Sequence, residues 1–333
     1  MPRTFIIGDI HGCYRELLEL CDRAAIGDDD LVVSVGDLVD RGPEPGAVLE
    51  LFRTRARALA ICGNHERKHV RGVFSYSQQV TREQLGDRYA DHVAWMATLP
   101  YHWERPDVRV VHYGLYPGVP LADVPEDVRA GTTSGEARLR ERYGPGHWYD
   151  GYRDDVPVVF GHRVLAEPLV IGDRVFGIDT GACHGGKLTG LLLPERRLVQ
   201  VPAREDHWVR VRAQWQVPVM KRLDWSAMTF EQIQRRLRAK VDPELDPGVL
   251  DRIAAWSDGV LAALPRLRDA LDAELARLDG DDFGRRAAAH AAGSWLLRRR
   301  AGRLSSDRLG CATPADVARL ARALGMPVAA APF

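Results

Sequence analysis

A chain of 333 residues with 45% apolar and 28% charged side chains is long enough to bury an ordinary core and too mixed in composition to be disordered or fibrous. Its 46 basic and 46 acidic residues cancel, which excludes a global field of the kind that draws a protein to nucleic acid or an anionic membrane. No apolar run reaches the ~18 residues of a membrane span, and Cys13, Cys21, Cys62, Cys183 and Cys311 lack metal-type spacing, so a reducing, cytoplasmic setting is expected.

Strand-like sequence begins directly after Met1-Pro2-Arg3, so no signal peptide is expected. Thr4-Phe5-Ile6-Ile7 leads into Gly8-Asp9-Ile10-His11-Gly12. A helix follows, with Tyr14, Leu17, Leu18 and Cys21 on its buried stripe and Arg15, Glu16 and Glu19 facing water. Leu31-Val32-Val33-Ser34-Val35 leads into Gly36-Asp37-Leu38-Val39-Asp40-Arg41-Gly42. After a second helix begun by Pro43 and Pro45, Ala58 to Cys62 leads into Gly63-Asn64-His65-Glu66. Strand, helix, strand, helix, strand is the grammar of a mostly parallel α/β sheet. It collects Asp, His and Asn side chains at the sheet's carboxyl edge, where such folds place their sites. Carboxylates, neutral imidazoles and an amide oxygen suit manganese, iron or zinc, and Asp37 has two oxygens with which to bridge two ions.

These three motifs resemble the signature of PPP-type metallophosphoesterases, within the calcineurin-like phosphoesterase superfamily, and the resemblance runs from about Thr4 to about Val201. That group includes serine/threonine protein phosphatases and diadenosine tetraphosphatases. The resemblance implies a β-sandwich flanked by helices, with two divalent cations, manganese in the first instance. Val108 to Val111 delivers His112, and Val156 to Phe160 delivers Gly161-His162; by resemblance both histidines complete the second metal site. One ion is then expected on Asp9, His11 and Asp37, the other on Asp37, Asn64, His112 and His162. A hydroxide between the ions attacks phosphorus in line. Arg41 and Arg153 clamp the phosphoryl oxygens, and His65, oriented by Asp40, protonates the leaving oxygen. Asp179 is read as a turn-organising carboxylate and His184 as a surface or cleft residue.

Arg67 to Pro100 reads as a helical insertion with Leu85, Val93, Met96 and Leu99 on its core face, and not as a source of metal ligands. His207 to Arg222 alternates Trp208, Val209, Val211 and Trp215 with basic residues, which predicts one or two half-buried β segments ahead of any nucleic-acid surface. From Thr229 to about Gly325 the tail turns helical, punctuated by Pro243, Pro247, Gly280, Gly302 and Pro314. Leu261, Leu264, Leu267, Leu271, Leu275 and Leu278 form its stripe, either a core or a homodimer face. Residues 204–333 carry 22 Lys+Arg against 17 Asp+Glu, a balance of +5 that leaves −5 for the first 203.

The expected organisation is a catalytic domain over 1–203 and a mostly helical accessory domain over 204–333. The expected reaction is metal-dependent hydrolysis of phosphomonoesters, with a phosphorylated small molecule preferred to a phosphoprotein. Alternatives are a serine/threonine phosphoprotein phosphatase, a hydrolase of dinucleoside polyphosphates or other nucleotides, and a non-catalytic binding module. The last is disfavoured because no ligand or acid position is missing.

Overall fold

The computed structural model describes residues 3–238, 247–305 and 307–333. Pro243 lies outside them. Cα packing divides the chain into two units, 1–216 and 217–333, where the expected division stood at 203/204.

The first unit opens with β1 (Thr4–Ile7), α1 (Tyr14–Arg23), β2 (Leu31–Ser34), α2 (Pro45–Thr54), β3 (Ala58–Ala60) and α3 (Asn64–Val70). The insertion forms α4 (Tyr76–Leu85) and α5 (Tyr89–Met96). Then follow β4 (His102–Arg105), β5 (Val108–Val111), α6 (Glu126–Arg129), α7 (Thr133–Tyr143), β6 (Val158–Phe160), β7 (Leu169–Ile171), β8 (Val175–Gly177), β9 (Asp179–Thr180), β10 (Lys187–Leu193) and β11 (Arg197–Pro202). One sheet has the order β11-β10-β1-β2-β3, with β9 also paired to β10; the other has the order β4-β5-β6-β8-β7. Strands β1, β2 and β3 are parallel, as are β5, β6 and β8.

Side-chain alternation explains why these short strands read as unbroken apolar runs. Ile6, Val33, Val110 and Val159 turn inward to a core shared by the two sheets. Phe5 and Val32 turn outward onto α1 and α2, while Val111 and Phe160 turn toward Leu139 of α7 and Trp148. Both faces of each sheet are therefore covered. A side chain such as Ile6, fully buried between the sheets, contributes roughly 1.5–3 kcal/mol by leaving water.

Two local expectations give way. Leu18 of α1 is 46% exposed, whereas Glu16 is buried, accepting from His207 Nε2 at 2.8 Å and from the Arg204 amide at 3.1 Å. The predicted β segments beyond His207 are α8 (His207–Gln214) and α9 (Gln216–Arg222). Asp206 caps α8, its carboxylate accepting from the Val209 amide at 3.0 Å, and burial follows His207 and Val211 at helical spacing while Val209 is 61% exposed. Apolar alternation here is incidental to a helix tied to α1 through Glu16.

The second unit holds α10 (Phe230–Arg238), α11 (Pro247–Ala262), α12 (Leu264–Leu278), α13 (Phe283–Ala289), α14 (Gly293–Arg300) and α15 (Pro314–Ala323). Leu264, Leu267, Leu271 and Leu278 are buried in one cluster with Trp225, Phe230, Ile253 and Leu320. The leucine stripe thus lines this unit's own core and is not free as a dimer face. Arg299 pairs with both oxygens of Asp272 at 2.8 Å, which accounts for part of the arginine run.

Candidate metal centre

Strands β1, β2 and β3 end in step, Ile7 opposite Ser34 and Ser34 opposite Ala60, so Asp9, Asp37 and Asn64 emerge from one sheet edge. The second sheet adds His112 after β5 and His162 after β6. The backbone bends sharply to aim these groups. His11, Asp37, Asp40, Arg41 and His162 all have positive φ, between 47° and 71°, a conformation costing about 1–3 kcal/mol each and characteristic of sites held by their surroundings. Close approach also requires glycine: a Cβ on Gly63 would stand 2.2 Å from Asp37 Oδ1, and one on Gly161 would stand 1.9 Å from Asp9 Oδ1.

Asp37 sits at the middle. Its Oδ1 accepts from the His65 amide at 3.0 Å and lies 3.4 Å from His112 Nε2. Its Oδ2 lies 3.7 Å from His11 Nε2 and 3.8 Å from His65 Nε2. Potential donor atoms of His11, Asp37 and His65 fall within 4.8 Å of one another, and so do those of Asp37, His112 and His162; Asp37 is common to both groups. Asn64 Oδ1 is 3.0 Å from His112 Nε2 and 3.0 Å from His162 Nδ1. Asp9 accepts from the His162 amide at 3.0 and 3.1 Å.

The remote nitrogen of each ring shows which nitrogen is left to ligate. His11 Nδ1 donates to the Val39 carbonyl at 2.8 Å, His112 Nδ1 to the Val35 carbonyl at 2.9 Å, and His162 Nε2 to Glu136 at 2.8 Å. In the neutral form each ring therefore turns a lone pair inward, where amide and carboxylate oxygens also point. In that form, lone pairs of nitrogen and oxygen converge on one point, a donor set suited to a cation. Burial and charge agree. Asp9, Asp37, Glu66 and Asp179 are at most 4% exposed. Burial and then Asp179 push Asp9 well above the usual carboxylate range, and burial raises Asp179 to about 6. Burial lowers His112, but the charge of Asp37 and its hydrogen bond outweigh it and bring the ring up to about 10. Burial also works against the charge of Asp37, yet His112 and His65 hold it well below its ordinary value. The cluster calls for positive charge at the point where its donors meet, and the residues present fit two divalent ions.

Beside this cluster, His65 Nδ1 donates to Asp40 Oδ2 at 2.5 Å, leaving Nε2 toward the centre. Arg41 Nη1 donates to His11 Nε2 at 3.0 Å. Arg153 is not drawn in by any hydrogen bond or ion pair among the described residues: its Nη1 donates to the carbonyls of Asp150 at 3.0 Å and Tyr152 at 2.8 Å. Asp179 Oδ1 accepts from the Gly181 amide at 3.0 Å, ordering its turn, and His184 is exposed.

Several contributors carry no role in the sequence reading. Glu66 accepts from the amides of Asp37, Leu38 and Gly63 at 2.8–2.9 Å and so locks the second motif to the third. His69 Nε2 donates to Asp40 Oδ1 at 2.9 Å, and Gln78 of α4 donates to Asp40 as well. The insertion thus supplies partners to the acid pair. His69 was visible as the i+4 neighbour of His65 on one helix face; Gln78 and Glu136 carry no such signal.

The sequence profile of the calcineurin-like phosphoesterase family matches residues 2–182. The bis(5'-nucleosyl)-tetraphosphatase PrpE [asymmetrical] of Geobacillus thermodenitrificans is 31% identical over 239 residues, covering 61% of this chain and 95% of that one. The enzyme of the same name from Halalkalibacterium halodurans is 30% identical over 231 residues, covering 60% and 94%. Among solved structures, a protein assigned as a diadenosine tetraphosphatase matches with a TM-score of 0.51 and 27% identity, covering 61% of this chain and 96% of that one.

Proposed function

Because the chain belongs to the calcineurin-like phosphoesterase family, we propose that its buried cluster, with Asp37 common to both donor groups, would hold two divalent cations and serve to cleave the phosphate chain of a dinucleoside polyphosphate. The protein is a metal-dependent phosphoester hydrolase. The observation that carries the dinuclear reading is Asp37, whose two oxygens face different imidazoles, His112 on one side and His11 with His65 on the other. By their donor set, Asp9, His11 and Asp37 would hold one ion and Asp37, Asn64, His112 and His162 the other, with manganese as the assignment and iron and zinc also compatible.

When bound, the ions supply the Lewis acidity that makes hydroxide available at neutral pH and offsets phosphoryl charge. With His11 Nε2 given to an ion, Arg41, whose Nη1 lies 3.0 Å from that nitrogen, would be released to grip a non-bridging oxygen. A water oxygen bonds to phosphorus as the bond to the leaving oxygen breaks, and His65 Nε2 delivers the proton that the leaving oxygen takes up. Asp40 keeps the His65 ring oriented through the 2.5 Å bond to Nδ1. Arg153, turned to its own loop carbonyls, is given no phosphate contact.

The substrate class draws support from the relatives, which are named as bis(5'-nucleosyl)-tetraphosphatases. A small phosphorylated molecule remains preferred to a phosphoprotein. No described helix is long and apolar enough to cross a membrane, and the five free cysteines suit a reducing cytoplasm. The test is turnover by manganese-loaded protein of diadenosine tetraphosphate, para-nitrophenyl phosphate, its bis ester and a phosphopeptide. The reading expects the highest kcat/KM on the tetraphosphate. A phosphopeptide preferred by tenfold or more would overturn the substrate class while leaving the chemistry intact.

A further inference from the structure

Helix α3 carries two stripes. His65 and His69 face Asp40, while Asn64, Lys68 and the C-cap residue Arg71 recur at i, i+4 and i+7 on the adjoining side. That second face borders a cavity of about 290 Å³, lined by Asn64, Arg67, Lys68, Arg71, Glu136 and His162. The cavity therefore begins at two of the groups assigned to the metal centre and runs outward along a row of cations. Thr132 and Ser134 also line it. Its volume is close to the lower bound for a small-molecule site and more than one oxyanion fills.

Charge decides what it suits. Glu136 is the cavity's one lining carboxylate, and His162 Nε2 holds it at 2.8 Å. Arg67 lies over the Tyr101 ring at 5.9 Å. Among the described residues, neither Lys68 nor Arg71 has a carboxylate within ion-pair distance. Cations at a helix carboxyl end also offset the helix dipole, which explains why such residues occur there but not why they border a cavity continuous with the active centre.

We propose that this cavity receives a second phosphate group of the substrate, paired with Lys68 and Arg71, and that these two residues make the centre select polyphosphate chains over simple monoesters. The inference rests on the phosphohydrolase reading above and deepens it. With the scissile phosphate at Asn64 and His162, the next phosphates of a chain enter the cavity, where charge-assisted hydrogen bonds fix them. A monoester has no group that reaches that far.

The experiment compares inorganic tripolyphosphate with orthophosphate as inhibitors of para-nitrophenyl phosphate turnover, in the intact manganese-loaded protein and in Lys68→Gln/Arg71→Gln. Loss of two charge-assisted contacts should raise the tripolyphosphate inhibition constant about 10- to 100-fold and shift that of orthophosphate less than about threefold. Lys68→Arg/Arg71→Lys, which keeps both charges, should restore most of the tripolyphosphate affinity. In the unaltered protein, added salt should weaken tripolyphosphate more than orthophosphate, a readout that needs no variant. Equal tripolyphosphate inhibition of parent and Gln variant, or equal loss for both anions, overturns the proposal. If diadenosine tetraphosphate is not cleaved but tripolyphosphate inhibition still depends on Lys68 and Arg71, the cavity assignment stands and the dinucleoside substrate falls.

Discussion

Replacing His65 by asparagine separates proton donation from everything else the centre does. The ring is 2% exposed, its Nδ1 is bound to Asp40 at 2.5 Å, and its Nε2 stands 3.8 Å from Asp37 Oδ2. Asparagine keeps polarity but has no ionisable proton to give at that point. A positioned general acid is worth about 10²–10⁴ in rate, so kcat on an alkyl phosphate, whose leaving oxygen needs a proton, should fall by that factor. At about 1.36 kcal/mol per decade this is roughly 3–5 kcal/mol of barrier. With para-nitrophenyl phosphate, whose leaving group departs as a stable anion, the loss should stay within about tenfold. Asp40→Asn should act through the same ring, so the double variant should be little slower than His65→Asn alone. Because His65 also lies among groups able to hold an ion, metal content has to be measured on the same preparation. Equal losses on both substrates, or loss of one ion from His65→Asn, would show that the residue is a ligand and refute the acid assignment.

Two further perturbations probe the scaffold. Glu16 is held at about 2: burial raises its pKa, but hydrogen bonds from His207 and the Arg204 amide outweigh that. A folded-state value below the unfolded one stabilises above the unfolded pKa and is lost as pH falls from about 4.5 toward 2. The contribution is about 3 kcal/mol, and Glu16→Gln should remove that much of the pH dependence of urea unfolding in this window; parallel pH profiles for parent and variant would contradict it. Gly161→Ala puts a Cβ into Asp9 Oδ1, so it should fold, by circular dichroism, yet bind less metal; unchanged metal content would mean that Asp9 is not held where the structure puts it.

How far the sequence speaks depends on whether a residue acts through its own strand or through a distant one. Asp9, Asp37 and Asn64 follow closely on strands of one sheet, so strand grammar predicts that they converge; His112 and His162 follow strands of the other sheet, their role rests on the family resemblance, and the structure brings them to the same centre. Glu66 belongs to the same motif, but its work is to bind amides at Asp37 and Leu38, and no local pattern announces a carboxylate that ties two loops together. Gln78 and Glu136 reach Asp40 and His162 from α4 and α7, whose placement is a matter of packing. The misread of α8 has a different origin. Trp208, Val209 and Val211 mimic strand alternation, and the informative residue was Asp206, a helix cap just before them. Glu16 shows the limit of amphipathic reading: a charged residue on a helix surface is buried because a later segment brings His207 to it.

The central claim is that Asp37 joins two cation sites into one centre. Elemental analysis of purified, manganese-loaded protein and of its Asp37→Ala and Asp9→Ala variants tests it most directly. The account predicts two ions per chain in the parent, loss of both from Asp37→Ala, and loss of mainly one from Asp9→Ala. Two ions retained by Asp37→Ala, or a single ion in the parent, would contradict it.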